Sequence, residues 1–132
     1  MSTIRRKITR NDVFSIGYGA TGSGLIQESD EERFKFLDAA YEAGCTHWDT
    51  VNEKLLGKWF KRTGKCSEIF LAGKFGFTSL TSIDGSSENA RKTLDEALKK
   101  LQTDYIDLYY LHRPDPNMPI EISIGTLAEF FN

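Results

Sequence analysis

The chain has 132 residues, enough for one domain with a hydrophobic core and too few for two. Its formal net charge is −2, without a basic block or an acidic tail, so we predict no binding to nucleic acid or to an anionic membrane surface. No apolar segment follows the basic N-terminus or reaches bilayer-spanning length, so we expect a cytoplasmic protein with no membrane contact. The two cysteines and two histidines have no metal-binding or redox spacing, so we predict free thiols and no metal site.

The N-terminal residues predict a hairpin and then a strand. Residues 7–9 form the first arm, Asn11 and Asp12 the turn, and residues 13–16 a strand that runs into Gly17. Residues 17–22 match the G-x-G-x-x-G pattern of dinucleotide-binding loops. In that pattern the glycines open a helix directly, whereas here the capping box of Ser29 and Glu32 is the better helix start. We therefore favour a glycine-rich loop between strand and helix, with a Rossmann phosphate loop as the alternative.

The rest of the chain alternates helical patterns with apolar runs typical of strands. Each predicted helix carries apolar residues at the spacing of one buried face, and the helices cover 30–43, 53–62, 87–101 and a segment beginning at Pro119. In the last helix that face consists of Ile120, Ile124, Leu127 and Phe131. The strands between them cover 46–50, 69–73 and 106–112. A hairpin followed by four strand–helix units predicts an α/β protein with a parallel sheet.

The strand at 106–112 is nearly all apolar or aromatic, which suits a strand covered on both faces. Because side chains alternate along a strand, Ile106, Leu108, Tyr110 and His112 are predicted to share one face. The histidine then lies at the C-terminal end of the strand, where parallel α/β folds carry their chemistry.

Asp49, Lys74 and His112 each end a predicted strand, and the three strands are consecutive in the sequence. Neighbouring parallel strands lie about 4.8 Å apart, so the three side chains converge if the strands pair in order. A buried lysine needs a partner, and Asp49 is the nearest candidate. A lysine held by a carboxylate supplies positive charge that stabilises an anion, and an imidazole orients or polarises a carbonyl. The pattern therefore predicts proton-transfer chemistry.

Each of these residues also has a purely structural interpretation. Lys74 alone would be a solvated lysine, His112 a capped surface histidine, and Asp49 a cap for the following helix. Their coincidence at three successive strand ends favours the functional interpretation. We expect His47, on the same strand as Asp49, to be packed in the interior.

Several segments resemble successive motifs of the aldo-keto reductases, in particular the fungal and bacterial type. These segments read GYGA, HWDT, NEKLLGKWF, FLAGKFGF, LDEALKKLQTDYIDLYYLHRPDP and PIEISIGTLAEF, and together they cover essentially the whole chain. The resemblance implies a (β/α)8 TIM barrel, closed at the bottom by an N-terminal hairpin, that reduces aldehydes and ketones with NADPH. The family's catalytic set is Asp, Tyr, Lys and His. By motif, Asp49, Lys74 and His112 match three of these, and the implied cofactor contacts are Asp49, Gly19 and Ala20.

The family's proton-donating tyrosine is missing from its motif. In relatives the aspartate is followed by Thr-Ala and soon afterwards by Tyr-Gly, whereas here residues 49–50 run through 51–52 straight into Glu53. Tyr18, Tyr109 and Tyr110 match no such motif. The glycine-rich loop at 17–24 is also shorter than its counterparts in the family.

Length is the second departure from the family. A complete barrel takes about 250 residues, so residues 1–132 correspond to a single partial domain, the N-terminal half with a hairpin and four βα units. The later strands and loops, which supply most of the family's cofactor contacts, are missing. Because a half-barrel leaves two open edges and exposed strand faces, we expect it to seek a partner, for example as a homo-oligomer through those edges.

Two functions remain open. The first is an oxidoreductase, the N-terminal half of an NADPH-dependent reductase that acts on a small-molecule carbonyl substrate by hydride transfer with general-acid proton delivery. It would be completed by a second copy or a separate C-terminal half, or the sequence is an incomplete record. The second is an inactive half-barrel interaction module that pairs with itself or with a full-length relative. With either function we expect the isolated chain to be inactive.

Overall fold

Strands and helices alternate through most of the computed structural model, which describes residues 5–8, 11–20, 29–79 and 81–130. The strands are β1 (Arg5–Ile8), β2 (Asn11–Phe14), β3 (Tyr18–Ala20), β4 (His47–Thr50), β5 (Phe70–Phe75) and β6 (Leu108–Leu111). The helices are α1 (Asp30–Glu42), α2 (Glu53–Thr63), α3 (Ser87–Leu101) and α4 (Ile120–Glu129). A short 3₁₀ helix, Cys66–Glu68, precedes β5.

The main sheet is parallel and has the strand order β3-β4-β5-β6. Each strand is followed by a helix, so the chain contains a hairpin and four βα units, as predicted. Strands that follow one another in sequence lie side by side, which is the progression of a TIM barrel. The predicted α/β half-barrel is confirmed, with β3 and β6 as the outer strands of this sheet.

The N-terminal hairpin is confirmed, but its predicted turn is wrong. Asn11 and Asp12 belong to β2, where Asn11 pairs with Ile8 and Asp12 with Lys7. The connection between the arms is therefore at residues 9–10, which lie outside the described residues.

The first strand of the parallel sheet begins later than predicted, at Tyr18 rather than before Gly17. Tyr18–Ala20 pairs with β4, and the Tyr18 ring packs edge-on against Trp48 at 6.0 Å. The first part of the G-x-G-x-x-G match is thus a strand in a barrel-type sheet, and the Rossmann alternative is wrong. The predicted shortening concerns the loop at 17–24, of which residues 21–24 lie outside the described residues.

The helix boundaries follow the sequence signals closely. Ser29 and Glu32 form the predicted capping box of α1. Helix α2 ends at Gly64 in the left-handed conformation, with φ of +71°, which glycine adopts without steric cost. The predicted apolar stripe of α2 is buried: Leu55, Leu56, Trp59 and Phe60.

Strands β5 and β6 differ in length from the predictions. β5 continues to Phe75, so Lys74 lies inside the strand rather than after it. β6 starts at Leu108, later than predicted. Just before it, the Asp107 N–H donates to the Leu71 carbonyl at 2.9 Å and the Asp107 carboxylate accepts the Leu71 N–H at 2.8 Å. The prediction that Ile106 shares a face with Leu108 is wrong, since Ile106 packs with the helix-side core.

The fourth helix turns a different face inward from the one predicted. Ile120 and Ile124 are 46% and 51% exposed, whereas Ser123 and Thr126 are buried with Leu127. The inward face packs Leu127 against Ala90 and Tyr109, and two hydroxyl contacts satisfy the polar groups beside it: Ser123 Oγ donates to the Gly85 carbonyl at 2.6 Å, and Thr126 Oγ1 lies 2.5 Å from Ser87 Oγ. The remaining residue of the predicted face, Phe131, lies outside the described part of the chain.

The main hydrophobic core lies between the sheet and its helices. Its largest members are at most 1% exposed: Leu37, Trp48, Leu56, Trp59, Leu71 and Leu101. The indole rings of Trp48 and Trp59 meet with centroids 4.7 Å apart. Aromatic pairs at such separations stabilise a core beyond the area that they bury. Within the described ranges, no helix is both long and apolar enough to cross a bilayer.

Candidate active site

The side of the sheet away from the helices carries the polar side chains. Asp49 on β4 and Tyr110 on β6 line a cavity of about 470 Å³ on this side, with Gly19, His47 and Leu108. We call this side the concave face. His47 packs edge-on against Phe70 with ring centroids 5.3 Å apart, but it is only half-buried and borders the cavity, so the predicted interior position is met only in part.

Asp49 and Lys74 form an ion pair across neighbouring strands. Lys74 Nζ donates to Asp49 Oδ1 at 2.9 Å. The lysine side chain is only 13% exposed and the aspartate side chain 35%, so the pair is partly withdrawn from water. Partial burial strengthens the attraction between the two charges, and it fixes the ammonium group close to the C-terminal edge of the sheet.

His112 follows directly after β6 and is anchored through its backbone, where its N–H donates to the Phe75 carbonyl at 2.8 Å. Its ring meets Phe77 edge-on with centroids 4.6 Å apart. His112 and Lys74 line one pocket of about 490 Å³, together with Val51, Glu53 and Phe77. We call this space the Lys74 pocket. The structure therefore brings the three predicted residues together at one edge of the sheet.

The protonation of His112 is shifted by its surroundings. Partial burial lowers the pKa of the imidazole, and the positive charges of Lys74 and Arg113 lower it further, while Asp49 acts weakly in the opposite direction. A lowered pKa keeps the imidazole neutral at neutral pH. A neutral imidazole can donate one hydrogen bond to a carbonyl oxygen without giving up a proton.

Tyr110 is a fourth polar group at this edge, and the sequence predicts its face but no role for it. Its hydroxyl donates to Asp49 Oδ2 at 2.7 Å, so both oxygens of the carboxylate have a donor. Burial, with the hydrogen bond to Asp49, raises the pKa of Tyr110 to about 12. The alternation that placed Tyr110 on the face of Leu108 was the available signal.

Phe77 is a further lining residue that no sequence signal marked. It lies beyond the regular part of β5, in a segment held by an isolated bridge to Ile83. The Arg113 guanidinium lies over its ring, 5.7 Å from the centroid. Phe77 therefore forms an apolar wall between His112 and Arg113.

The purely structural interpretations of Asp49 as a helix cap and of Lys74 as a solvated lysine are both wrong. Asn52, rather than Asp49, occupies the N-cap position of α2. Lys74 is not a solvated lysine, because its side chain is largely buried against its carboxylate partner. His112 is more exposed than either.

The predicted cofactor contacts Gly19 and Ala20 lie on β3, paired with Asp49 and Thr50. Gly19 borders the concave cavity beside Asp49. Ala20 is 5% exposed and its side chain packs into the helix-side core, so only its backbone could contact a ligand. Both residues stay predictions as cofactor contacts.

The connection that would carry the family's tyrosine is very short here. Only Val51 and Asn52 separate β4 from α2, and the Asn52 N–H donates to Thr50 Oγ1 at 2.8 Å. Tyr109 does not substitute for it, because its hydroxyl faces the helices and donates to the Ala90 carbonyl at 3.5 Å.

The opposite end of the strands carries a different kind of surface. An open groove of about 790 Å³ lies there, between Cys66 and Tyr105. In parallel barrels the N-terminal ends of the strands serve stability rather than chemistry, so this groove is not the candidate site. Cys45 and Cys66 are free thiols, and in the described part of the chain no cluster of His, Cys, Asp and Glu side chains is arranged around a metal position.

A parallel half-barrel with a carboxylate, an ammonium and an imidazole at the C-terminal edge of successive strands places this chain among the TIM-barrel proteins with a site at that edge. The family model described as "Aldo/keto reductase family" matches residues 14–132. The chain therefore belongs to the aldo/keto reductase family.

Individual relatives agree with this assignment. "Aldo-keto reductase str7" of Strobilurus tenacellus is 47% identical over 137 residues, which cover 94% of this chain and 40% of the relative. "Aldo-keto reductase yakc [NADP(+)]" of Schizosaccharomyces pombe is 40% identical over 98% of this chain and 42% of its own length. The solved holo form of aldo-keto reductase AKR11C1 from Bacillus halodurans superposes with a TM-score of 0.82 at 27% identity, over 98% of this chain and 46% of that one. The chain thus spans less than half the length of these relatives, and it corresponds to their N-terminal half.

Proposed function

We propose that this chain supplies the N-terminal half of an NADPH-dependent carbonyl reductase, with Asp49, Lys74 and His112 at the reacting carbonyl. The observation that carries the proposal is the Lys74 ammonium, held 2.9 Å from Asp49 and lining one pocket with His112. A carbonyl oxygen gains negative charge as it is reduced. A fixed ammonium group and an imidazole that line the same pocket stabilise that charge.

The described residues fit part of an NADPH molecule. Gly19 and Asp49 border a cavity of about 470 Å³ beside the ion pair, which leaves room for the reacting end of the cofactor. Among the described residues that line this cavity and the Lys74 pocket, Lys74 is the one lysine or arginine, and it is already paired with Asp49. We therefore assign the phosphate contacts to the part of the relatives' length that this sequence does not span. When bound, NADPH supplies the hydride, and the name of the relative yakc includes NADP(+).

We propose that residues 1–132 form one partial domain without turnover on its own. Reduction of a carbonyl adds a hydride to carbon and a proton to oxygen, and the second step needs a donor. The two-residue connection between β4 and α2 has no tyrosine, and the Tyr110 proton is engaged by Asp49. A cytoplasmic location is part of the proposal, since Cys45 and Cys66 are free thiols.

The second candidate function is a half-barrel interaction module that pairs with a copy of itself or with a full-length relative. It is favoured by Ile120 and Ile124, which lie one turn apart on the same side of α4 and are 46% and 51% exposed. Exposed apolar neighbours of this kind are typical of a contact with another protein surface.

The first experiment measures the isolated chain. Purified protein is mixed with NADPH, cofactor fluorescence reports binding, and loss of NADPH absorbance with a panel of aldehydes reports turnover. We expect neither signal, because the proton donor and the phosphate contacts are both missing. Binding without turnover would favour the interaction module, and robust reduction by a monomer would overturn the proposed dependence on the missing half.

The second experiment adds the missing half as a separate chain. The C-terminal part of the Strobilurus tenacellus relative is produced alone and mixed with this chain. We expect NADPH binding without turnover, since the phosphate contacts return but the tyrosine does not. No binding by a mixture that forms a stable complex would contradict the proposed reductase half.

A further inference from the structure

The contact between Tyr110 and Asp49 joins two strands that are not neighbours in the sheet. The strand order places β5 between β4 and β6, so the Tyr110 side chain reaches across β5 to the carboxylate. We propose that Tyr110 is a positioning residue that fixes the Asp49 carboxylate and, through it, the Lys74 ammonium. Its importance for reduction rests on the proposed function, whereas the contact itself does not.

The geometry gives the carboxylate two donors from two different strands. Tyr110 Oη donates to Oδ2 at 2.7 Å, and Lys74 Nζ donates to Oδ1 at 2.9 Å. Tyr110 and Lys74 are register partners in the sheet, and Nζ lies 5.8 Å from the centre of the phenol ring. A carboxylate with one donor can rotate about its Cβ–Cγ bond, but donors on both oxygens hold it in one orientation. Hydrogen bonds to an ionised group are the stronger ones, so this clamp is effective at a half-buried site.

The same geometry argues against Tyr110 as a substitute proton donor. Its proton points to Asp49 rather than into open space, and the neighbouring carboxylate disfavours the phenolate. A donor must release its proton to the substrate oxygen during reduction. Tyr110 therefore acts through Asp49, and its effect on the chemistry is indirect.

The neighbouring residue provides a matched control. Tyr109 lies one position earlier in β6, and its side chain packs on the helix side, where its hydroxyl meets the Ala90 carbonyl at 3.5 Å. It is 8% exposed, so it is the more buried of the two tyrosines. Tyr109→Phe removes a hydroxyl from the same strand without touching the Asp49–Lys74 pair.

The experiment follows the Lys74 ammonium by NMR in the full chain with ¹⁵N-labelled lysine, with the signal assigned by its loss in Lys74→Met. In the wild type we expect slow exchange of the ammonium hydrogens with water, because Asp49 holds them. Tyr110→Phe is expected to speed this exchange several-fold, and Tyr109→Phe to leave it unchanged. Unchanged exchange in Tyr110→Phe, or equal effects of both variants, would overturn the proposal.

A second measurement keeps the test independent of how well Tyr110→Phe folds. With ¹³Cζ-labelled tyrosine, Asp49→Asn should lower the pKa of Tyr110, because the acceptor and the charge are removed while burial remains, and the Tyr109 signal should stay in place. An unchanged Tyr110 titration would overturn the proposal. Neither measurement uses reductase activity, so a failure of the proposed function alone would leave both results intact.

Discussion

The helix-covered side of the sheet and its concave face differ in what fills them. Between sheet and helices, large apolar side chains such as Trp48, Trp59 and Leu71 are at most 1% exposed. On the concave face, a charged pair and a phenol, Asp49, Lys74 and Tyr110, border open cavities. The first side is a buried core formed within this chain. The second side carries the polar site residues, and no described residues cover it.

This difference separates the origin of stability from the origin of function. Burial of apolar surface is the main driving force of folding, and here it lies almost entirely on the helix side. The concave face contributes an ion pair with partial exposure, which stabilises a fold only modestly. Substitutions on the two sides should therefore affect different measurements.

The largest expected effect is on the helix side. Trp59→Ala removes an indole that is fully buried against Trp48 and also donates to Asp38 at 2.8 Å. We expect the free energy of unfolding to fall by about 3–5 kcal/mol in urea titrations. Ile124→Ala, on the exposed side of α4, should change it by less than about 0.5 kcal/mol. Similar losses for both variants would contradict a core confined to the helix side.

The seam between α2 and α3 gives an intermediate effect. A Cβ at Gly57 would clash with the Lys100 carbonyl oxygen, so Gly57→Ala must push the two helices apart. We expect a loss of about 1–3 kcal/mol in the free energy of unfolding. Gly125 is also inside a helix, but nothing lies within 4 Å of the position that a Cβ would take there, so Gly125→Ala should stabilise by about 0.5–1 kcal/mol. A Gly57→Ala variant as stable as the wild type, or more stable, would show that the seam is not tightly packed.

The smallest effect concerns charge on the site side. Because His112 has its pKa lowered from the ordinary value of 6.5, the unfolded chain binds more protons than the folded one just below that pH. Its contribution to stability is therefore present above pH 6.5 and decreases as the pH falls towards the folded-state pKa. Lys74→Met should raise the His112 pKa part of the way back, since burial remains. The exposed control Lys99→Met should leave the His112 pKa unchanged. Both pKa values are measured by NMR titration, and equal shifts in the two variants would show that Lys74 has no specific effect on His112.

Most of the fold was predictable because its signals are local. The capping box at Ser29, the α2 stripe and the strict alternation of strands and helices each specify an element without reference to distant residues. Asp49 and Lys74 met as expected because the strands pair in sequence order. Their roles in catalysis stay predictions.

The misplaced elements depend on tertiary contacts that periodicity does not show. Helix α4 has apolar residues at Ile120 and Ile124, but the face with Ser123 and Leu127 lies inward, in contact with residues far away in sequence. The alternation of side chains along the strand predicted the correct face for Tyr110, but it could not predict a hydrogen bond that crosses an intervening strand. Sequence spacing gives the face of a side chain but not the length of its reach.

The most direct test restores the missing pieces in one chain. The C-terminal part of the Strobilurus tenacellus relative is joined after this sequence, and a segment with the family's Tyr-Gly motif replaces Val51 between Thr50 and Asn52. We predict NADPH-dependent reduction of aldehydes by this protein, lowered about a hundredfold or more by Lys74→Met and unchanged by Lys99→Met. A folded, NADPH-binding chimera that reduces no carbonyl, or one whose turnover survives Lys74→Met, would contradict the assignment of the Asp49, Lys74 and His112 edge as half of a reductase site.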